Sequence, residues 1–134
     1  MNIPMIDSND NIENEKIIKK GFLLKKSKYL GNWKRRFVVL TNNYILAYTD
    51  AKPGAECTMN LSLLDTFGPK HLQLESQEEF GFSFCNDNKI YCFKTKNVEE
   101  KNDWFAILRE SLSHWNNFKD KNPIYKEIIV LTKN

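Results

Sequence analysis

Between Gly21 and Tyr48 the chain runs in short apolar-rich segments of strand length separated by turn residues, and a two-residue period divides their side chains onto two faces. Gly21 to Lys26 predicts a first strand, with Leu23 and Lys25 on one face and Phe22, Leu24 and Lys26 on the other. Ser27 to Asn32 is the connection: Gly31 and Asn32 supply turn chemistry, and Lys28, Tyr29 and Leu30 form its tip. Trp33 to Leu40 predicts a second strand, setting Lys34, Arg36, Val38 and Leu40 against Trp33, Arg35, Phe37 and Val39. The first of these faces is charged where the strand begins and apolar where it ends. That is the pattern of a strand that lines a polar mouth and then enters a core. Thr41, Asn42 and Asn43 make a tight turn into a third strand, Tyr44 to Tyr48.

Asp50 to Gly54, with Pro53, breaks the sheet before a fourth strand around Cys57 to Leu61. Leu72 and Leu74 alternate with polar residues after Gly68 and Pro69, so a short fifth strand is expected within Leu63 to Leu74. Phe80, Phe82 and Phe84 are spaced by two, which puts three core rings on one face of a sixth strand, and Asn86, Asp87 and Asn88 turn the chain into a seventh, Lys89 to Lys94. The period changes at Asn97. Asn97 with Glu100 three residues later forms a capping box, and Glu99 and Asp103 complement the positive end of the helix dipole. Trp104, Leu108, Ser111, Leu112 and Trp115 then recur at helical spacing, predicting an amphipathic helix to about His114 or Asn117. Asp120 to Pro123 is a stop signal, followed by an apolar tail, Ile124 to Leu131, that carries no assignment. Before the first strand, a short helix from about Ser8 to Ile18 competes with a solvated lead-in. Seven short strands followed by one helix predict a mainly β fold, a bent antiparallel sheet or small barrel with the helix packed over one end.

Length and charge sharpen this picture. A chain of 134 residues with 41% apolar and 28% charged positions fits one soluble domain with short tails. Its net charge of +3 hides a segregation: nine Lys or Arg and no acid from Lys16 to Thr49, against four acids and no base in the first fifteen residues. The stretch from Lys19 to Leu40 is therefore a basic hairpin. Cys57, Cys85 and Cys92 form no CxxC pair, and their odd number leaves at least one thiol outside any internal disulfide, so a reducing cytosol is the simplest setting. No apolar run approaches the roughly 18 residues that span a bilayer, the acidic start does not read as a signal peptide, and Asn2 stands where myristoylation needs glycine.

The order of GFLLKK, a short basic loop, NWKRRFVVL, the NNYILAY strand and a terminal helix carrying Trp104 resembles the pleckstrin homology (PH) domain family. The resemblance covers residues 18–117, with 1–17 as an N-terminal extension and 118–134 as a C-terminal tail. It implies a seven-stranded, orthogonally packed antiparallel β-sandwich or barrel, with the C-terminal helix plugging one end and Trp104 and Leu108 in the core beneath it. In lipid-reading members the open end holds an anionic headgroup through a lysine late in the first strand and a basic-x-Arg pattern opening the second. Those positions correspond here to Lys25, Lys34 and Arg36, with Lys28 in support and Tyr29 and Leu30 as a membrane-contacting loop. The sequence departs from strong phosphoinositide readers: Ala55 and Glu56 stand where some carry a further base, and Ala47 where tyrosine is frequent. A smaller headgroup, phosphatidic acid or an inositol lipid with few phosphates, then competes. In composition the chain is also similar to protozoan acylated PH-domain proteins associated with phosphatidic acid on secretory organelles.

These readings lead to a non-enzymatic membrane-targeting module, cytoplasmic and peripheral on the cytosolic face of a membrane, whose partners are anionic membrane lipids. The alternative is a PH-fold protein–protein interaction scaffold with little lipid specificity, for which the basic edge only guards the sheet against edge pairing. Nucleic acid is not expected, because the aromatic residues fall on core faces. No GxxxxGK, GxSxG or HExxH occurs, and His71 and His114 lack neighbours at metal-ligand spacing, so no catalytic residue, metal or cofactor is expected. Cys85 and Cys92 read as packing residues. A monomer is the expected state.

Overall fold

The described chain, residues 11–12, 15–27, 31–65, 79–86 and 89–121 of a computed structural model, forms an antiparallel sheet and one long helix. β1 (Asn11–Ile12) pairs only with the start of β2 (Glu15–Lys26). β3 (Trp33–Thr41), β4 (Tyr44–Tyr48), β5 (Cys57–Ser62), β6 (Gly81–Asn86) and β7 (Lys89–Lys94) complete the order β5-β4-β3-β2-β7-β6, and α1 (Val98–Lys121) follows. Met59 on one edge strand and Phe82 and Phe84 on the other share a single core cluster, so the sheet curls on itself. Trp104, Leu108 and Leu112 of α1 are buried in that cluster and close one end of the curl.

β2 begins earlier than the alternation alone indicates, and Glu15 to Ile18 is strand where a helix was one expectation. Turn chemistry far along the chain explains this. The Asn42 side chain accepts the Lys16 N–H at 3.0 Å, the Asn42 N–H donates to the Lys16 carbonyl at 3.1 Å, and the Asn43 amide donates to Glu15 Oε1 at 2.8 Å. Thr41 fixes the same turn, its hydroxyl oxygen accepting the N–H groups of Asn43 and Tyr44 at 3.2 and 2.9 Å. The β2–β3 register shifts between Ile17 and Lys19, a bulge that absorbs the added pairing.

Phe37, Val39, Leu46 and Tyr48 make a second buried cluster on the convex face, against Ala51 and Ala55 of the β4–β5 connection. With both faces covered, the unbroken apolar runs FVVL and YILA need no polar face. Phe82 and Phe84 point into the main core, but Phe80 does not join them on a strand face. It precedes β6 with a φ of 63°, in the left-handed region, while its carbonyl accepts the Thr95 N–H at 3.0 Å. Leu63–Asp65 is a single 3-10 turn that buries Leu63, and the strand expected near Leu72 and Leu74 lies outside the described residues.

The helix starts where the capping pattern puts it, with Asn97 Oδ1 accepting the Glu100 N–H at 2.9 Å. It continues to Lys121, past the expected end at His114 or Asn117, because its last turns have partners. Trp115 Nε1 donates to the Asn42 carbonyl at 3.1 Å and its ring meets Phe118 edge-on at 5.4 Å.

Candidate functional site

β2 and β3 carry their basic ends to the rim that α1 leaves uncovered. Register sets Lys25 directly opposite Lys34 and Leu23 opposite Arg36, so the three cations share the face whose inner part is Leu23, Val38 and Leu40. Directly opposed residues on one face stand about 4.5–5.5 Å apart at Cβ and diagonal ones roughly 7–8 Å, within reach of a single phosphate for side chains this long. Lys25 is half-buried, with Nζ 5.7 Å from the centre of the Tyr91 ring. Burial lowers its pKa below the ordinary 10.5, and the positive charge of Arg36 lowers it further. An anion between the two cations would offset both effects by favouring the charged form of Lys25. Arg36 is tethered to its own strand, Nη1 donating to the Arg35 carbonyl at 3.0 Å, while Lys34 stands exposed.

A cavity of about 590 Å³ opens beside Lys25. Its wall takes Lys26 from β2, Lys89 and Tyr91 from β7, and Thr58 and Asn60 from β5. Asn60 Oδ1 is buried without a hydrogen-bond partner, and its pairing with Leu46 puts its side chain on the convex face, so Asn60 borders the cavity from the outer side of β5. Lys34 and Arg36 are not part of this wall and sit on the adjoining rim of β3; Glu56, exposed, is not part of it either. Lys28, Tyr29 and Leu30 lie outside the described residues. The neck of their loop is closed by the Ser27 N–H on the Asn32 carbonyl at 2.6 Å and the Gly31 N–H on the Ser27 carbonyl at 3.2 Å, Gly31 supplying a φ of 68°.

Lys26, Lys89, Tyr91, Thr58 and Asn60 were not singled out from the sequence. A signal existed for two of them, since Lys89 and Tyr91 alternate with the buried Phe93, which pairs with Lys25. Lys26 has the outward parity, opposite Trp33, and borders the cavity where it follows the last residue of β2 that pairs with β7.

Arg35 faces away, as alternation requires, with its guanidinium 3.5 Å from the centre of the Phe22 ring, and on the same outer face Lys94 lies 4.5 Å over Trp33. At the closed end Trp104 and Leu108 are each 1% exposed. The Trp104 ring lies 3.8 Å from where a side chain on Gly21 would begin, an ordinary packing distance, so the ring sits against this part of β2. Burial pushes the Cys57 and Cys92 thiols up, which disfavours the nucleophilic thiolate. Among the described residues no cluster of His, Cys, Asp and Glu fits a metal ion, and no helix is long and apolar enough to cross a membrane.

A curled antiparallel sheet with one end closed by a C-terminal helix and cations at the other is the architecture of a PH domain. The PH domain family matches residues 17–113, and the chain belongs to it. Oxysterol-binding protein 2 of Mus musculus is 28% identical over 90 residues, 66% of this chain, which spans 9% of that protein's length. The Slm1-PH domain, solved in complex with phosphoserine, is similar with a TM-score of 0.61 and 26% identity over 72% of this chain and 96% of its own. The C-terminal PH domain of pleckstrin shares the fold at a TM-score of 0.57 and 23% identity, over 71% of this chain and 97% of its own.

Proposed function

We propose that this PH domain is a non-enzymatic membrane-targeting module that holds an anionic phospholipid headgroup between Lys25, Lys34 and Arg36, with Lys28 in support and Tyr29 and Leu30 against the membrane. The observation that carries this reading is the pairing of Lys25 with Lys34 one step from Arg36, on the face of a half-buried lysine whose charge is already disfavoured. Folding gains nothing from cations so arranged. A phosphate does, through charge-assisted bonds to two ammonium groups and a guanidinium. The complex of the similar Slm1-PH domain with phosphoserine, a compact phosphate ester, supports a headgroup with one or few phosphates. Phosphatidic acid, or a phosphoinositide with few phosphates, fits best, since Ala55 and Glu56 add no further base. The protein would then work peripherally, on the cytosolic face of a membrane.

Liposome sedimentation at physiological salt, comparing phosphatidic acid, phosphatidylserine and each phosphoinositide in a neutral background, tests this. Binding should require anionic lipid and fall when Lys34 and Arg36 are changed to Ala. Equal indifference to neutral and anionic vesicles would instead leave the interaction scaffold as the reading.

A further inference from the structure

Ile90 is the most exposed of the large apolar residues at the surface of the described chain, at 68%, and it lies beside the basic cavity rather than away from it. Its height follows from register. Phe93 pairs with Lys25 at the end of the β2–β7 ladder, and β7 continues back from Phe93 to Lys89 without β2 beside it. At about 3.3 Å per residue, Lys89 and Ile90 stand on the order of 10 Å beyond the level of Lys25. β6 supports them there, pairing Asn86 with Lys89 and Cys85 with Ile90. An isolated surface isoleucine needs no explanation. One raised on a paired strand above a cationic cavity, next to an exposed lysine, meets a membrane before the headgroup site does.

We propose that the Lys89–Ile90 end of the β6–β7 ladder is a membrane anchor: Ile90 enters the interfacial region of an anionic bilayer while Lys89 stays at headgroup level, and the bilayer is thereby seated over the Lys25 cavity. This rests on the headgroup reading above and adds to it an apolar contribution that does not depend on charge. The occupant is a bilayer rather than a free phosphate, because a soluble phosphate ester offers nothing to an apolar side chain at that height. Charge complementarity of the adjacent Lys25, Lys26 and Lys89 with anionic lipid supports the same choice.

The test is partitioning onto phosphatidic acid vesicles, by sedimentation at low and high salt, of the full chain and its Ile90→Ser, Ile90→Ala and Ile90→Leu variants. At about 0.8 kcal/mol per buried CH₂, loss of the three side-chain carbons that Ile90→Ala removes lowers partitioning by up to roughly 60-fold. Ile90→Ser and Ile90→Ala should show that loss at both salt concentrations, and Ile90→Leu should bind like the wild type. Thermal unfolding should be unmoved, because the side chain is largely outside the fold. Wild-type partitioning by Ile90→Ser, or a loss seen only at low salt, overturns the anchor while leaving the headgroup site standing. Failure of the unaltered chain to bind anionic vesicles overturns both.

Discussion

Changing Lys34 to Ala should weaken membrane binding and leave the fold as stable as before, or slightly more so. Lys34 is exposed and sits directly across from Lys25, and like charges directly opposite in an antiparallel pair destabilise it by about 0.2–1 kcal/mol. Removing one of them returns that amount at most. On the membrane the sign reverses, because a basic residue near an anionic surface contributes about 1 kcal/mol. Lys34→Ala should therefore cost roughly fivefold in partitioning, and the pair Lys34→Ala, Arg36→Ala about 30-fold. Arg36 is not equivalent in stability, since its Nη1 bond to the Arg35 carbonyl is lost with it, though an exposed bond of this kind is worth at most about 1 kcal/mol.

The assay combines vesicle sedimentation across a salt series with urea unfolding of the same preparations. Binding by the double variant should be weaker and also less salt-dependent, since fewer cations meet the surface. Two results would refute the reasoning. Unchanged partitioning by the double variant removes Lys34 and Arg36 from the site, and a marked loss of stability in Lys34→Ala means that the lysine supports the sheet rather than burdening it.

Three further outcomes follow from the same structure. Lys25 has a folded-state pKa below its unfolded one, so between the two values the unfolded chain binds more protons and stability should rise with pH as it approaches 10.5; urea midpoints measured across that window should climb, and Lys25→Met should flatten the rise. Trp104→Ala empties the core beneath α1 beside Gly21 and should cost about 3–5 kcal/mol by chemical denaturation, with the far-UV helix signal lost in the same transition. Asn97→Ala removes the acceptor of the Glu100 N–H and should cost about 1 kcal/mol, while Asn97→Asp should retain most of the stability.

What the sequence made legible was whatever depends on local period. Lys25, Lys34 and Arg36 fell on one face because alternation survives in any sheet with one side buried, and Asn97 declared the helix start because a cap bonds only three residues ahead. Contacts made across the chain were hidden. Glu15 to Ile18 is strand because Asn42 and Asn43, some 26 residues later, supply its partners, and nothing near Glu15 signals that. Thr58 and Asn60 border the cavity only because curling brings β5 toward β7. Phe80 shows the opposite failure, since a perfect two-residue spacing ran one residue too far, into a position whose backbone had already left the strand.

The two ends of this sheet divide the labour by what they can bury. At the closed end Trp104, Leu108 and Leu112 fill the curl completely, so β2 and β3 are held rigidly by residues that never meet solvent. That rigidity carries to the other end, where the same two strands hold Lys25 against Lys34 despite their repulsion. A flexible loop would let such cations separate; a strand pair whose other half is locked in a core cannot. On the proposed headgroup reading the mouth is charged before the anion arrives, so the energy of neutralising Lys25, Lys34 and Arg36 would go to binding rather than to ordering the chain. A substitution such as Leu108→Ala should accordingly weaken headgroup binding only as far as it loosens the sheet, in step with stability, whereas Lys34→Ala separates the two.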